Sequence, residues 1–344
     1  MKKPVIRTVA QALLLAGFAA PVYADSGSLN VICGVQADWC NLVQSTFSKA
    51  TGIKVNMVQK SAGETLAQLA AEAANPKTDV WFGGTGDPHL QAAEKGLTLA
   101  YQSPNINLLR DWAVEQAKEA NYKTVGIYSG PLGFAYNTEL LAKKKLVAPI
   151  CWQDLVQPQF KGEIQMANPN SSGTAYMVIA TLVQLTGEEK AFDYLKQLHK
   201  NISQYPRSGV APLKNVSHGE STVSISFVHD VPGEVMQGYP VKGSTPCEGT
   251  GYEIGSMSIV KGARNLVNAK KFYDWALTAP AQELAAAAKQ YQLPSNKDAK
   301  VDPHVPDVKK IKLIKYDFAK YGSTAERKRL LDRWEKEVNS LPNS

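Results

Sequence analysis

Two glycine-rich, extended stretches, residues 124–137 (TVGIYSGPLGFAYN) and 251–261 (GYEIGSMSIVK), constrain this chain more than any other feature. Around them, short β-rich runs alternate with helical ones. Residues 29–33 (LNVIC), 54–58 (KVNMV) and 79–82 (DVWF) read as strands, and 38–50, 64–74 (ETLAQLAAEAA) and 88–95 as the helices that follow them. Such alternation with short connections predicts a parallel sheet flanked by helices. A second unit of the same kind lies between the two stretches: residues 152–155, a strand near 162–166, helices over 174–185 and 189–199, and a strand over 223–228. Helices are then predicted over 266–276 and 281–291, and further helices run through Glu337. Two extended stretches so distant in sequence predict twin crossovers between lobes. A chain of this length exceeds one compact core, which also argues for two domains.

The first residues set the compartment. Lys2, Lys3 and Arg7 precede an apolar run at 10–20 (AQALLLAGFAA), and Val22-Tyr23-Ala24 is a small-x-Ala site. This is the pattern of a secretory leader over residues 1–24, cleaved after Ala24 and too short for a membrane span. No cysteine follows the site, so no lipid anchor is expected there, and no later stretch reaches about 18 apolar residues. Removing three basic residues leaves 35 against 31 acids, a net charge of +4. So weak and dispersed a charge argues against nucleic acid and suits an anionic small ligand. The run 309–315 (KKIKLIK) reads as a solvated face.

Four cysteines in an exported chain predict disulfides. Of the three pairings, Cys33–Cys40 with Cys151–Cys247 is preferred. No CxxC is present, and His89, His199, His218, His229 and His304 show no ligand spacing to the cysteines, so no metal and no cofactor are expected.

Several positions carry candidate chemistry. Ser61, between a strand and a helix, fits a reciprocal cap with Glu64; it can also turn a hydroxyl and free N–H groups toward a ligand. Gly83-Gly84-Thr85-Gly86-Asp87 follows the third strand, where ligands sit in open α/β sheets. Thr85 offers a hydroxyl there, and Asp87 before Pro88 fits an ordinary helix cap. The strongest anion signal is Asn168-Pro169-Asn170-Ser171-Ser172-Gly173-Thr174-Ala175-Tyr176, in which hydroxyls and a glycine open a long apolar helix. Ser171, Ser172, Gly173 and Thr174 form the expected anion site. His229 and Asp230, at the end of a strand, and Glu253, in the second crossover, can exchange hydrogen bonds with hydroxyl groups. The bland readings are a satisfied buried histidine and a surface salt bridge for Glu253. Arg207 reads as a surface arginine and Trp39 as a core aromatic beside the Cys33–Cys40 loop.

The order of the leader, DVWFGG, GPLGFAYN, NPNSSGTAY, GE…VSISFVHD and GSMSIVKGARN resembles extracytoplasmic solute-binding proteins of ABC importers, in the ferric-iron/phosphonate/thiamine-binding group. The resemblance covers nearly all of the chain after the leader. It implies an α/β, two-lobed type II periplasmic binding protein whose two crossover strands form the hinge. Lobe 1 is expected over 25–128 and 256–302, and lobe 2 over 129–255 and 303–344. Where iron binders of the group carry two adjacent tyrosines, this chain has His229-Asp230, so the resemblance is to the hexose-phosphate-binding subgroup. It implies Ser171 to Thr174, with Ser61 and Thr85, on a phosphate, and His229, Asp230 and Glu253 on sugar hydroxyls. The expected partners are a phosphorylated sugar and an inner-membrane ABC permease, with a periplasmic monomer and no catalysis. Ferric iron, with Tyr128, Tyr136 or Tyr252 as ligands beside His229 and Asp230, and 2-aminoethylphosphonate are the alternatives within the class. A phosphatase using His229 and Asp230 is the alternative outside it; Arg207 stands alone and no phosphohistidine motif surrounds His229.

Overall fold

Leu29, Val31 and Cys33 of the first apolar run are fully buried, which makes that run a central strand. The computed structural model describes residues 27–342, so the leader lies outside it. The first unit is β1 (Ser28–Cys33), α1 (Ala37–Thr51), β2 (Lys54–Gln59), α2 (Ala62–Ala71), β3 (Val80–Phe82), α3 (Gly86–Glu94) and α4 (Asp111–Glu119). The first crossover is the 13-residue strand β4 (Val125–Asn137). The second unit comprises α5 (Thr138–Lys144), β5 (Ile164–Gln165), α6 (Gly173–Thr186), α7 (Glu188–His199), β6 (Ile202–Gln204), α8 (Ala211–Ser217), β7 (Val223–Phe227), α9 (Val231–Val235) and β8 (Val241–Ser244). The second crossover, β9 (Tyr252–Ile259), leads to α10 (Leu266–Ala276), α11 (Ala279–Gln282), α12 (Leu284–Ala287) and β10 (Leu293–Pro294). Helices α13 (Phe318–Tyr321) and α14 (Thr324–Trp334) follow.

The strands run in the order β2-β1-β3-β9-β4-β7-β5-β6, with β8 and β10 also on β4. β1 is parallel to β2 and β3, and β5 is parallel to β6 and β7, as strand–helix–strand units require. β4 serves both halves. Its first part pairs with β9 as far as Pro131, opposite Tyr252, and its second part pairs with β7 from Leu132, opposite Phe227. Proline has no N–H to donate, so it suits the point where a strand changes partners.

Two main cores form on either side of this change. One packs Leu29, Phe47, Phe82, Ile127 and Phe272. The other packs Phe134, Trp152, Tyr176, Phe192 and Trp334, so the last helix returns to the second unit. Trp39 is buried in the first core against Phe82 and Tyr128. Disulfides Cys33–Cys40 and Cys151–Cys247 both form, with Cα separations of 6.0 and 4.8 Å. Among the described residues no helix is long and apolar enough to cross a membrane.

Four local expectations are corrected. Helix α2 stops at Ala71 rather than 74, and the stretch 281–291 contains short helices rather than one long one. Ser61 occupies the N-cap of α2 without capping a backbone N–H: its hydroxyl donates to Glu64 Oε2 at 2.9 Å and to Ser171 O at 2.8 Å. Thr85, not Asp87, is the N-cap of α3. Asp87 is the second residue of the helix, fully buried in its first turn, and accepts from Tyr316 Oη at 3.0 Å across the lobes.

Candidate functional site

Three helices begin at one place. Ser61 precedes α2, Thr85 precedes α3 and Ser172 precedes α6, and all three line a single cleft of about 790 Å³, counting space open to solvent. Helix N-termini present unpaired N–H groups and partial positive charge, so their convergence favours an anion. Glycines make the approach possible. Gly83 and Gly84 turn the chain out of β3 with φ of +75° and +90°, and the Gly84 N–H donates to Tyr128 Oη at 3.0 Å. A Cβ on Gly173 would lie 1.7 Å from Thr85 Oγ1, and one on Gly209 would lie 2.6 Å from Thr174 Oγ1 and 2.8 Å from Ser172 Oγ. The Ser172 hydroxyl caps α6 by accepting from Ala175 N, whereas Thr85 Oγ1 is buried without a partner.

The same cleft is lined by His229, Asp230 and Glu253. They are 1%, 7% and 2% exposed, so Glu253 is no surface salt bridge. His229 stacks on Phe227, and Gly130 lies so close beneath the ring that a Cβ there would sit 1.8 Å from Nδ1. His229 Nε2 is 3.5 Å from both Asp230 Oδ1 and Glu253 Oε1, while Nδ1 is buried and unpartnered. Burial pushes the imidazole down to about 3, so it is neutral at physiological pH. Burial pushes Asp230 up to about 7, opposed by a hydrogen bond from Gln36. Glu253 is held well above the usual carboxylate range by burial first and then by Asp230 and Asp87. Burial favours the uncharged forms of Glu253 and of the imidazole, so the cluster can offer donors and acceptors together, the set that hydroxyl groups require.

Of the residues selected from sequence, Ser61, Thr85, Ser172, Gly173, Thr174, His229, Asp230 and Glu253 line this one cleft. Ser171 does not. Its hydroxyl donates to Arg207 O at 2.7 Å, and its carbonyl accepts from Ser61 Oγ and from Gly63 N, stitching the lobes together at the rim. Arg207 is 82% exposed and is not part of the lining, though it pairs with Glu64, which is. Sequence reasoning missed Gln36, Lys60, Ser208 and Gly209 in the lining. Gln36 and Lys60 follow the carboxyl ends of β1 and β2, where ligands gather in this kind of sheet, and that rule could have found them. Of the tyrosines weighed as iron ligands, Tyr128 alone lines the cleft. Burial first, and then Glu253, holds its phenol well above the ordinary range, against phenolate formation. The cluster of metal-ligand type found among the described residues is Cys151, Cys247 and Glu248, and its cysteines are spent on a disulfide.

A two-lobed α/β fold with paired crossover strands and a cleft of helix N-termini defines a type II binding protein. The chain belongs to the bacterial extracellular solute-binding protein family, whose signature matches residues 75–321. It is 30% identical to a putative 2-aminoethylphosphonate-binding periplasmic protein of Salmonella typhimurium, covering 78% of this chain and 80% of that one. Among solved structures, it is similar to the periplasmic binding protein AfuA from Actinobacillus pleuropneumoniae with exogenous fructose-6-phosphate bound. The identity is 47% and the TM-score 0.89, over 92% of this chain and 99% of that one. It is also similar to the periplasmic binding protein P5PA, at 43% identity and TM-score 0.88, over 91% and 99%.

Proposed function

We propose that the protein is the periplasmic binding component of an ABC importer and captures a hexose 6-phosphate, such as glucose 6-phosphate or fructose 6-phosphate, between its lobes. The observation that carries this reading is the composition of the cleft: three helix N-termini and a carboxyl–imidazole–carboxyl cluster line the same space. Ser61, Thr85, Ser172, Gly173 and Thr174 bind the phosphate, with the Ser171 backbone closing the rim. His229, Asp230 and Glu253 read the sugar. The similarity to a binding protein holding fructose-6-phosphate supports the same ligand class. Neutral donors hold the phosphate, each charge-assisted bond contributing roughly 1.5–3 kcal/mol, so no single interaction prevents release.

The lobes, 25–128 with 256–302 and 129–255 with 303–344, close on the ligand as a monomer and present the closed form to an inner-membrane permease. The leader directs the chain to the periplasm and is removed after Ala24. No chemistry is performed: His229 lacks an arginine-lined phosphate pocket, and the carboxylates face hydroxyls. Native mass spectrometry of the protein as purified, followed by calorimetry with glucose 6-phosphate, glucose, 2-aminoethylphosphonate and ferric ion, tests the reading. Micromolar or tighter binding of the hexose phosphate with negligible binding of glucose is the expected result. Equal affinity for glucose and its phosphate refutes the anion site, and tight aminoethylphosphonate binding reassigns Asp230 and Glu253 to an ammonium.

A further inference from the structure

Gln36 belongs to no recognised motif, yet it bridges the cleft. It precedes α1 without capping it, and its Nε2 donates to Asp230 Oδ1 at 2.6 Å, a contact between residues 194 positions apart. Gln36 also lines an adjoining groove formed with Asp38, Lys214, Gln237 and Lys289, so it stands in the wall between that groove and the cleft.

We propose that Gln36 is a positioning residue for the sugar end, reaching from one lobe to aim the Asp230 carboxylate of the other at a ligand hydroxyl. The inference rests on the sugar-phosphate reading. A carboxylate has two oxygens; with Oδ1 taken by the amide, Oδ2 is left to the ligand. The amide is a donor to Asp230, so it also favours the ionised form. Burial and Glu234 oppose ionisation, and Lys214 assists it. His229 faces Asp230 at 3.5 Å, and the Asp230 charge in turn raises Glu253 on β9 and Tyr128 on β4. Gln36 is a neutral group in this set that bonds Asp230 directly, so replacing it shifts proton affinity without adding or removing a charge.

The test compares wild type with Gln36→Leu, which keeps the volume and removes the donor. Glucose 6-phosphate affinity is measured by calorimetry from pH 5.5 to 8.5, the Asp230 titration by carbon-detected NMR of the ligand-free protein, and ligand-free stability by thermal melting. The variant is expected to lose about tenfold in affinity at pH 7, one hydrogen bond to a charged group. Its affinity should fall off at higher pH than the wild type's as acid is added, and the Asp230 midpoint should move up in parallel. An unmoved midpoint, or an affinity and pH profile equal to wild type, overturns the role of Gln36 alone. A lowered melting temperature with an unmoved pH profile makes Gln36 a structural contact and overturns the proposal as well. Wild type that binds no hexose phosphate removes the sugar-phosphate reading and this inference with it.

Discussion

Replacing Gly173 with alanine adds one methyl group where the two lobes come closest at the proposed phosphate end. The new Cβ would lie 1.7 Å from Thr85 Oγ1, 2.9 Å from its Cβ and 3.2 Å from its Cγ2. Rotating the threonine removes the first overlap but not the second, because a Cβ does not move with χ1. Carbon atoms pack at about 3.5–4.0 Å, so the lobes must separate by well over half an ångström or the helix ends must shift. Overpacking of this kind costs about 1–3 kcal/mol, and here the cost falls on the closed state. Gly173 opens α6, where alanine is a better helix former, so the separated lobes are not destabilised. The expected outcome is a loss of about 5- to 150-fold in hexose-phosphate affinity, with an unchanged or slightly raised ligand-free melting temperature. Small-angle scattering should show a more open ligand-bound form than wild type. Calorimetry and melting curves of Gly173→Ala, alone and with Thr85→Ala, provide the assay. Because Thr85→Ala also removes the threonine hydroxyl, the double variant is compared with Thr85→Ala alone: the methyl at 173 should cost less there than in wild type, since only the Cβ overlap remains. Full affinity in Gly173→Ala would refute the steric argument; a collapsed ligand-free melting temperature would locate the damage in the fold instead of in closure.

Three further outcomes are expected. Thr85→Val replaces a buried, unpartnered hydroxyl by a methyl group, and should weaken hexose-phosphate binding about tenfold while leaving ligand-free stability equal or higher; calorimetry and melting read both. Asp230 has a folded-state value raised to about 7, so between its unfolded value and pH 7 the folded state holds the extra proton, and stability falls as pH rises through that window. Asp230→Asn removes this loss, so its ligand-free melting temperature at pH 8 should exceed wild type by about 2–4 °C and match it near pH 4. The same variant should bind hexose phosphate about 30- to 1000-fold more weakly. Identical pH dependence of melting in the two proteins would show that Asp230 is solvated. Arg207→Ala breaks an exposed pair with Glu64 and should change affinity less than about threefold at 0.15 M salt; a larger loss by calorimetry would bring Arg207 into the site.

Much of the scaffold was legible because the signals were redundant. The glycine-rich crossovers, the strand–helix alternation and the even cysteine count each point to the same arrangement, and β4, β9 and both disulfides appear where those signals lie. The serine cluster was legible as a cluster but not residue by residue. The hydroxyls of Ser171, Ser172 and Thr174 cannot all face one point, and Ser171 is diverted to the Arg207 carbonyl while Ser172 caps α6. Gln36 and Lys60 carried only the positional signal of following the carboxyl ends of β1 and β2, since a single polar residue after a strand otherwise looks like any loop residue. The alanine-rich stretch 281–291 overstated its helix because propensity is local. Lys289 adopts φ of +58° and Leu293 must reach Ser129 on β4, so the chain turns where composition alone would continue it.

The change of partners at Pro131 fixes the order in which a ligand meets the protein. When two bodies turn about an axis, facing atoms separate in proportion to their distance from it. Glu253 is registered opposite Gly130, beside that axis, and the His229 ring lies against the same glycine. Opening therefore leaves the imidazole and the glutamic acid nearly in place. Ser61 and Gly63 of one lobe bond Ser171 of the other, beside the exposed Arg207, so these contacts part on opening. On the proposed reading an arriving sugar phosphate finds His229 and Glu253 already assembled and its phosphate contacts split between two walls. On that reading the phosphate then draws those walls together, and a free sugar, which leaves them apart, is not retained.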